Sequence, residues 1–342
     1  MKSNIELSIV IPAYNAEKYI NRCISSITEA NLKEDIYEII AIDDASTDST
    51  YTILNELSQD IPQLKVFHRQ KSGPGGVRNL GLNYSKGRYI MFVDIDDHLN
   101  TKNFKHFVEV LLPMYSHDII GFDYLKVDEE GNESQVTKKI FPYCREMSGA
   151  EYMNIQAPQS VLWGYVYRRK FLLENTLKFI EKNIHDNEYF LIKAFCLAEK
   201  ITFIPTQLYY YHHAIPTSLT NKPDTTHQEL YVNQLLNVIT ELQKFGFLLG
   251  DPLSEEGLNR KLDLLSARLL RRLIALDYSV DFIKETLIKL EKMDLYPLRE
   301  AKYSLRYRLL RRATKTPNKL IECKGYKNSK IKNRLTQYFL SL

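Results

Sequence analysis

Cysteines that could build a zinc cage or a disulfide framework are few in this chain. The four cysteines, Cys23, Cys144, Cys196 and Cys323, are scattered, with no CxxC pair and no Cys/His spacing of a zinc site. They read as buried thiols. No apolar run approaches the roughly 18 residues of a membrane-spanning helix. The N-terminal MKSNIELSIVIPAYN has one early lysine and a short apolar run at residues 7–12, interrupted by Ser8, so it reads as a strand and not as a signal peptide. A cytoplasmic location follows as the expectation, peripheral to the inner face of the membrane if the C-terminal segment docks there. A GxxxxGK[ST] loop is missing, and GPGGVRNLG is not a GxGxxG after a strand, so neither phosphate-binding fingerprint applies. There is no internal repeat and no low-complexity linker.

What is present is an ordinary globular composition, 44% hydrophobic and 26% charged, in 342 residues, which exceeds the usual size of one domain. The net charge of +4 conceals an asymmetry. From Arg299 onward there are thirteen Lys and Arg against Glu300 and Glu322, about +11, which leaves the rest near −7. No nucleic-acid-binding module precedes this segment, so nucleic acid is not an expected partner. In YSLRYRLLRRATK, Leu305, Leu309 and Leu310 alternate with Arg306, Arg308, Arg311 and Arg312, a pattern that suits an amphipathic helix on an anionic membrane surface through 299–334. Self-association as a homo-oligomer is the alternative use.

Through the first third, short apolar runs alternate with helix-like patterns. ELSIVIP is followed by NAEKYINRCISSITEA, in which Asn15 is expected to cap a helix whose Ala16, Ile20, Cys23, Ile24 and Ile27 share one face. YEIIAID, LKVFH and RYIMFVD continue the rhythm, which implies an α/β fold with a parallel sheet flanked by helices. Ligands of such sheets lie beyond the carboxyl ends of the strands, where Asp43-Asp44 and Asp94-Ile95-Asp96-Asp97 fall. After Leu99 the pattern becomes mixed, with a hairpin signal in VDEEGNES and a capping box from Ser148 to Glu151. Beyond Asp224 nearly everything is helix-periodic. The expected domains are 1–222, and a basic helical region at 223–342.

Carboxylates as close as Asp94, Asp96 and Asp97 repel one another and are costly to desolvate, so they need water or a cation. Hard divalent cations are held by one or two protein carboxylates together with substrate phosphates, and an Asp-x-Asp at a strand end meets that need. A solvated acidic turn is the bland reading of the same residues.

Taken in order, SIVIPAYNAEKYI, IIAIDDASTDST, GPGGVRNLGLNYSKGRYIMFVDIDD and HDNEYF resemble the inverting glycosyltransferases of family 2, over about residues 5–220. The resemblance implies a GT-A fold, a Rossmann-like, mixed and mainly parallel sheet flanked by helices, followed here by an α-helical C-terminal region. It also implies a nucleotide-sugar donor, usually UDP-linked, a glycan or lipid-linked glycan acceptor, and Mn2+ or Mg2+. By this resemblance Pro12, Ala13 and Tyr14 cradle the base and ribose, Asp43 hydrogen-bonds the nucleobase with Asp44 supporting its turn, and Arg78 serves the donor. Asp94 orients ribose or sugar, Asp96 binds the metal, and Asp97 is a second metal or water ligand. His212 or His213 could join the metal, and Trp163 could stack an acceptor sugar.

The catalytic base is expected at Asp186, which opens the helical pattern NEYFLIKAF and would leave Tyr189 on the apolar side, with Glu188 as the alternative. In a second register the residue is Asn187, an amide that cannot act as a base. A nucleotide-sugar-binding protein without transferase activity is the other function considered.

Overall fold

The apolar runs become a nine-stranded sheet in a computed structural model that describes residues 5–320 except 129, 136–142, 157–159, 213–224, 302 and 319. His213 and the basic residues after 320 therefore lie outside the described residues. The described chain divides into two compact units, Met1–Asn221 and Lys222–Leu342.

In the first unit, β1 (Leu7–Ala13), β2 (Tyr37–Asp43), β3 (Leu64–His68) and β4 (Tyr89–Phe92) are parallel strands. They are joined in turn by α1 (Ile20–Thr28), α2 (Thr50–Asp60) and α3 (Gly73–Tyr84). Because helices cover both faces, β1, β2 and β4 are apolar along nearly their whole length and buried. The exceptions are satisfied locally: buried Ser8 donates to Glu38 at 2.7 Å, and Glu38 pairs with Lys65 at 2.6 Å. A Cβ at Gly81 would meet Val10 Cγ1 at 2.2 Å, so glycine is what lets α3 lie directly on β1.

The second half of the unit supplies β5 (His98–Leu99), α4 (Thr101–His106), β6 (Ile119–Val127), β7 (Glu133–Gln135), α5 (Gly149–Ile155), β8 (Tyr165–Arg168), α6 (Arg169–Glu174), α7 (Asp186–Leu197) and β9 (Ile201–His212). Across the sheet the order is β3-β2-β1-β4-β8-β6-β9-β5, with β7 beside β6. β8 runs antiparallel between β4 and β6, whereas β9 is parallel to β6. The chain leaves β1 for β2 and β3 on one side and returns to β4 on the other, which makes the carboxyl ends of β1 and β4 the topological switch point. The capping box forms: Ser148 Oγ accepts the Glu151 N–H at 3.1 Å and Glu151 accepts the Ser148 N–H at 2.6 Å.

Asn15 does not cap α1. That helix starts at Ile20 without a side-chain cap, while Asn15 sits at φ +48 and accepts the Thr47 N–H at 2.9 Å, tying the loop after β1 to the loop after β2.

The second unit holds α8 (Thr225–Gly246), α9 (Pro252–Ala275), α10 (Val280–Lys292) and α11 (Leu305–Ala313). Asp251, Ser279 and Ser304 cap the last three. In α11, Tyr307 and Leu310 are buried, which leaves Leu305 and Leu309 as the exposed leucines of the stripe expected to face lipid. No helix among the described residues is long and apolar enough to cross a membrane.

Candidate active site

Sheet register sets Ala13 beside Asp43 and Asp43 beside His68 at the carboxyl edge. Asp43 is fully buried. Its Oδ2 accepts the Ser46 N–H at 3.2 Å and lies 2.7 Å from His68 Nδ1, while Oδ1 is buried with no hydrogen-bond partner among the described residues. Asp44 turns the other way. It accepts the N–H groups of Ser72 at 2.7 Å and Gly73 at 3.0 Å, and so fastens the end of β2 to the start of α3. Pro12 and Ala13 close β1, and Tyr14 is exposed with the Lys71 ammonium 2.6 Å from its ring centre.

The three aspartates after β4 have three different surroundings. Asp94 is partly exposed, and its Oδ1 accepts from Arg78 at 3.0 Å. Asp96 is half-buried with no side chain donating to its carboxylate among the described residues, and burial together with the Asp94 charge pushes its carboxyl up to about 6. A cation would offset that charge, so the carboxylate fits one. Asp97 does not fit the role of metal ligand. Its Oδ2 accepts from the Tyr209 hydroxyl and its Oδ1 from the His212 N–H, both at 2.7 Å, and the side chain is buried. It pins the acidic loop to the end of β9. His212 Nε2 lies 2.9 Å from His98 Nδ1. Among the described residues no three His, Cys, Asp or Glu side chains group as a metal cage.

Asp186 opens α7 and is 2% exposed. Its Oδ1 accepts the Asn187 N–H and its Oδ2 the Arg78 guanidinium, both at 2.8 Å. Burial pushes this carboxyl up, against the pull of Arg78. Arg78 thus joins Asp186 to Asp94, which lies 92 residues earlier in the sequence. Glu188 turns away and accepts from the Ser160 hydroxyl. The apolar anchor of this helix is Phe190 and not Tyr189: Phe190 stacks on Phe179 at 4.1 Å, whereas Tyr189 is half-exposed under Lys193.

Trp163 is no acceptor platform. The ring is 4% exposed, stacked on Tyr209 at 4.3 Å and against Tyr211 at 5.2 Å, with Tyr124 edge-on at 4.6 Å. Sequence reasoning also missed His68, which lies against Asp43, and Lys71, which lies over Tyr14. His68 ends β3 at the same sheet edge as the acidic pairs, a position from which it could have been found.

The model of the glycosyl transferase family 2 matches residues 8–183, just over half of the chain. The poly(ribitol-phosphate) β-N-acetylglucosaminyltransferase TarS of Staphylococcus aureus is 26% identical over 212 residues, 60% of this chain and 35% of that protein. A poly(ribitol-phosphate) β-glucosyltransferase of Bacillus spizizenii is 29% identical over 216 residues, 60% of this chain and 32% of that protein. The matched stretch therefore spans about a third of those relatives' length. The crystal structure of S. aureus TarS 1–349 with UDP-GlcNAc superposes with a TM-score of 0.65 at 20% identity, over 94% of this chain and 91% of that one, and so shares the fold. A GT-A-type mixed sheet carrying the acidic edge described above, and a family match across most of the unit that bears it, lead to one assignment: the chain belongs to glycosyltransferase family 2.

Proposed function

We propose that this glycosyltransferase moves a sugar, with inversion, from a UDP-linked donor to a hydroxyl of a surface glycan, free or lipid-linked. The observation that carries the reading is the Arg78 bridge, which brings Asp186 into one cluster with Asp94 of the donor-side loop. In this reading Asp43 Oδ1 accepts an N–H of the nucleobase, and Pro12, Ala13 and Tyr14 flank the base and ribose. Asp94 orients the sugar. Asp186 takes the proton of the acceptor hydroxyl as its oxygen attacks the anomeric carbon, and UDP leaves on the opposite face. Asp96, with His212 as a further ligand, would hold Mn2+ or Mg2+, which when bound neutralises charge on the leaving diphosphate. Two relatives act on poly(ribitol phosphate), which supports a phosphate-bearing polymer among the acceptors to try. The basic segment 299–334 suits an anionic lipid face.

The test is UDP release from a panel of UDP-sugars, UDP-GlcNAc and UDP-glucose first, with Mn2+ and with Asp186→Asn as the control. Loss of a general base should lower turnover by roughly 10²–10⁴-fold while UDP affinity persists. An Asp186→Asn variant as active as the parent removes Asp186 from the role. UDP binding with no turnover on any donor or acceptor returns the chain to a binding function.

A further inference from the structure

Arg78 lies in the second turn of α3, 5% exposed, where no bulk water can solvate its charge. One terminal nitrogen donates to Asp186 at 2.8 Å and to Asn187 Oδ1 at 3.0 Å, and the other to Asp94 at 3.0 Å. The Phe179 ring lies 5.7 Å from the guanidinium carbon. The contact is built from several sides. A Cβ at Gly75 would come within 3.1 Å of Asp186 Oδ2 and 2.4 Å of the Ile180 carbonyl, so the glycine at that position makes room for the pair. Asn79, the next residue of α3, accepts the Phe179 N–H at 2.8 Å and donates to the Phe179 carbonyl at 3.0 Å, which holds the segment leading to α7 against α3.

A donor-phosphate contact would need a cation with capacity left at the open sheet edge. Here three of the five guanidinium N–H groups already serve three side chains, Nε is buried with no partner among the described residues, and the side chain is only 6% exposed. Charge geometry favours the base instead. A fully buried carboxylate with no compensating cation would take up a proton and lose its function as a base. We infer that Arg78 is a positioning residue for the base, orienting the Asp186 carboxylate and compensating its buried charge, and not a contact to the donor phosphates. This rests on the reading of Asp186 as the base.

The charged groups acting on Asp186 from the elements packed around it are Arg78 of α3, which favours its ionised form, and Asp94 after β4, which opposes it. The acidic residue of α5, Glu151, is exposed and engaged in its own capping box. Removing the Arg78 charge should therefore move the acid limb of turnover to higher pH.

The experiment compares parent, Arg78→Gln, Arg78→Lys and Asp186→Asn. It uses the full chain, UDP binding by calorimetry, and turnover against pH with whichever UDP-sugar of the panel releases UDP fastest. Arg78→Gln should lower kcat by about 10²-fold near neutral pH, shift the acid limb upward, and change UDP affinity by less than about threefold. Arg78→Lys should keep the acid limb near that of the parent, because the charge remains, and lose part of kcat, because the two-pronged geometry does not. If Arg78→Gln does not fold, the lysine variant alone decides between a loss in kcat and a loss in donor affinity. Weakened UDP binding with kcat and the acid limb unchanged overturns the inference. An active Asp186→Asn overturns the reading beneath it, and is a separate outcome.

Discussion

His68 Nδ1 lies 2.7 Å from Asp43 Oδ2, and by occupying that oxygen it leaves Oδ1 as the open acceptor of a buried carboxylate. One acceptor matches a base edge that presents one N–H, as uracil does at N3, and serves guanine poorly, because its N1–H and N2–H need two. UDP should therefore bind at least about tenfold more tightly than GDP, since a site built around one hydrogen bond discriminates through groups left unpaired. Competition calorimetry with the two diphosphates measures it. Equal affinities would show that Asp43 does not read the base.

Asp96 should make cation binding depend on pH. Its carboxyl is pushed up to about 6, above the ordinary carboxylate value, so without a cation the native state binds the extra proton. The stability from that protonated form is present at low pH and is lost as pH rises through about 6. A divalent cation competes with the proton and favours the charged form. UDP with Mn2+ should then raise the melting temperature above pH of about 6 and do much less a unit or more below it, and Asp96→Asn should abolish the difference. A Mn2+ shift that is flat across this range, or unchanged in Asp96→Asn, would sink the assignment.

How far the site was legible follows from where each residue finds its partner. The strand ends and their aspartates were readable because an apolar run that stops at Asp is a local pattern, and the sheet rule then places its end at a ligand edge. The three fates of Asp94, Asp96 and Asp97 were not. Asp97 is decided by Tyr209, 112 residues downstream, and Asp94 by sharing Arg78 with Asp186, itself 108 residues from that arginine. Spacing within DIDD carries no record of such partners. Trp163 failed for a similar reason, since two rings of β9 cover it. Asn15 looked like a cap because caps are defined by local sequence, but a turn from β2 competed for the same side chain and won.

Gly75 offers a steric test of how closely α7 must approach α3. No positive φ is required there, so Gly75→Ala is not penalised through the backbone; its Cβ would instead press on the Ile180 carbonyl at 2.4 Å. Overpacking of this kind costs roughly 1–3 kcal/mol, and relief by moving α7 would displace Asp186. The variant should unfold at lower denaturant and lose turnover more than UDP affinity. Gly250→Ala, where a Cβ meets nothing within 4 Å, is the control and should match the parent. A fully active, fully stable Gly75→Ala would mean that the close approach is not needed.

The Tyr209 hydroxyl links two of the aspartates: it accepts the Asp94 N–H at 3.1 Å and donates to Asp97 at 2.7 Å. Tyr209→Phe keeps the ring stacked on Trp163 and removes only the hydroxyl. That leaves the part-buried Asp94 N–H and the buried Asp97 oxygen each short of a partner, at a cost of about 1–3 kcal/mol for the buried group. Asp97→Asn also breaks the link, but retains an oxygen able to accept the His212 N–H and avoids burying a charge that burial, Asp96 and Asp94 all disfavour. The two changes should therefore couple, with the double variant less destabilised than the sum of the singles by about 0.5–3 kcal/mol. Urea denaturation of the four proteins closes the cycle. Additive effects would mean that the hydroxyl and the carboxylate act independently, and that something other than this contact holds the acidic loop to β9.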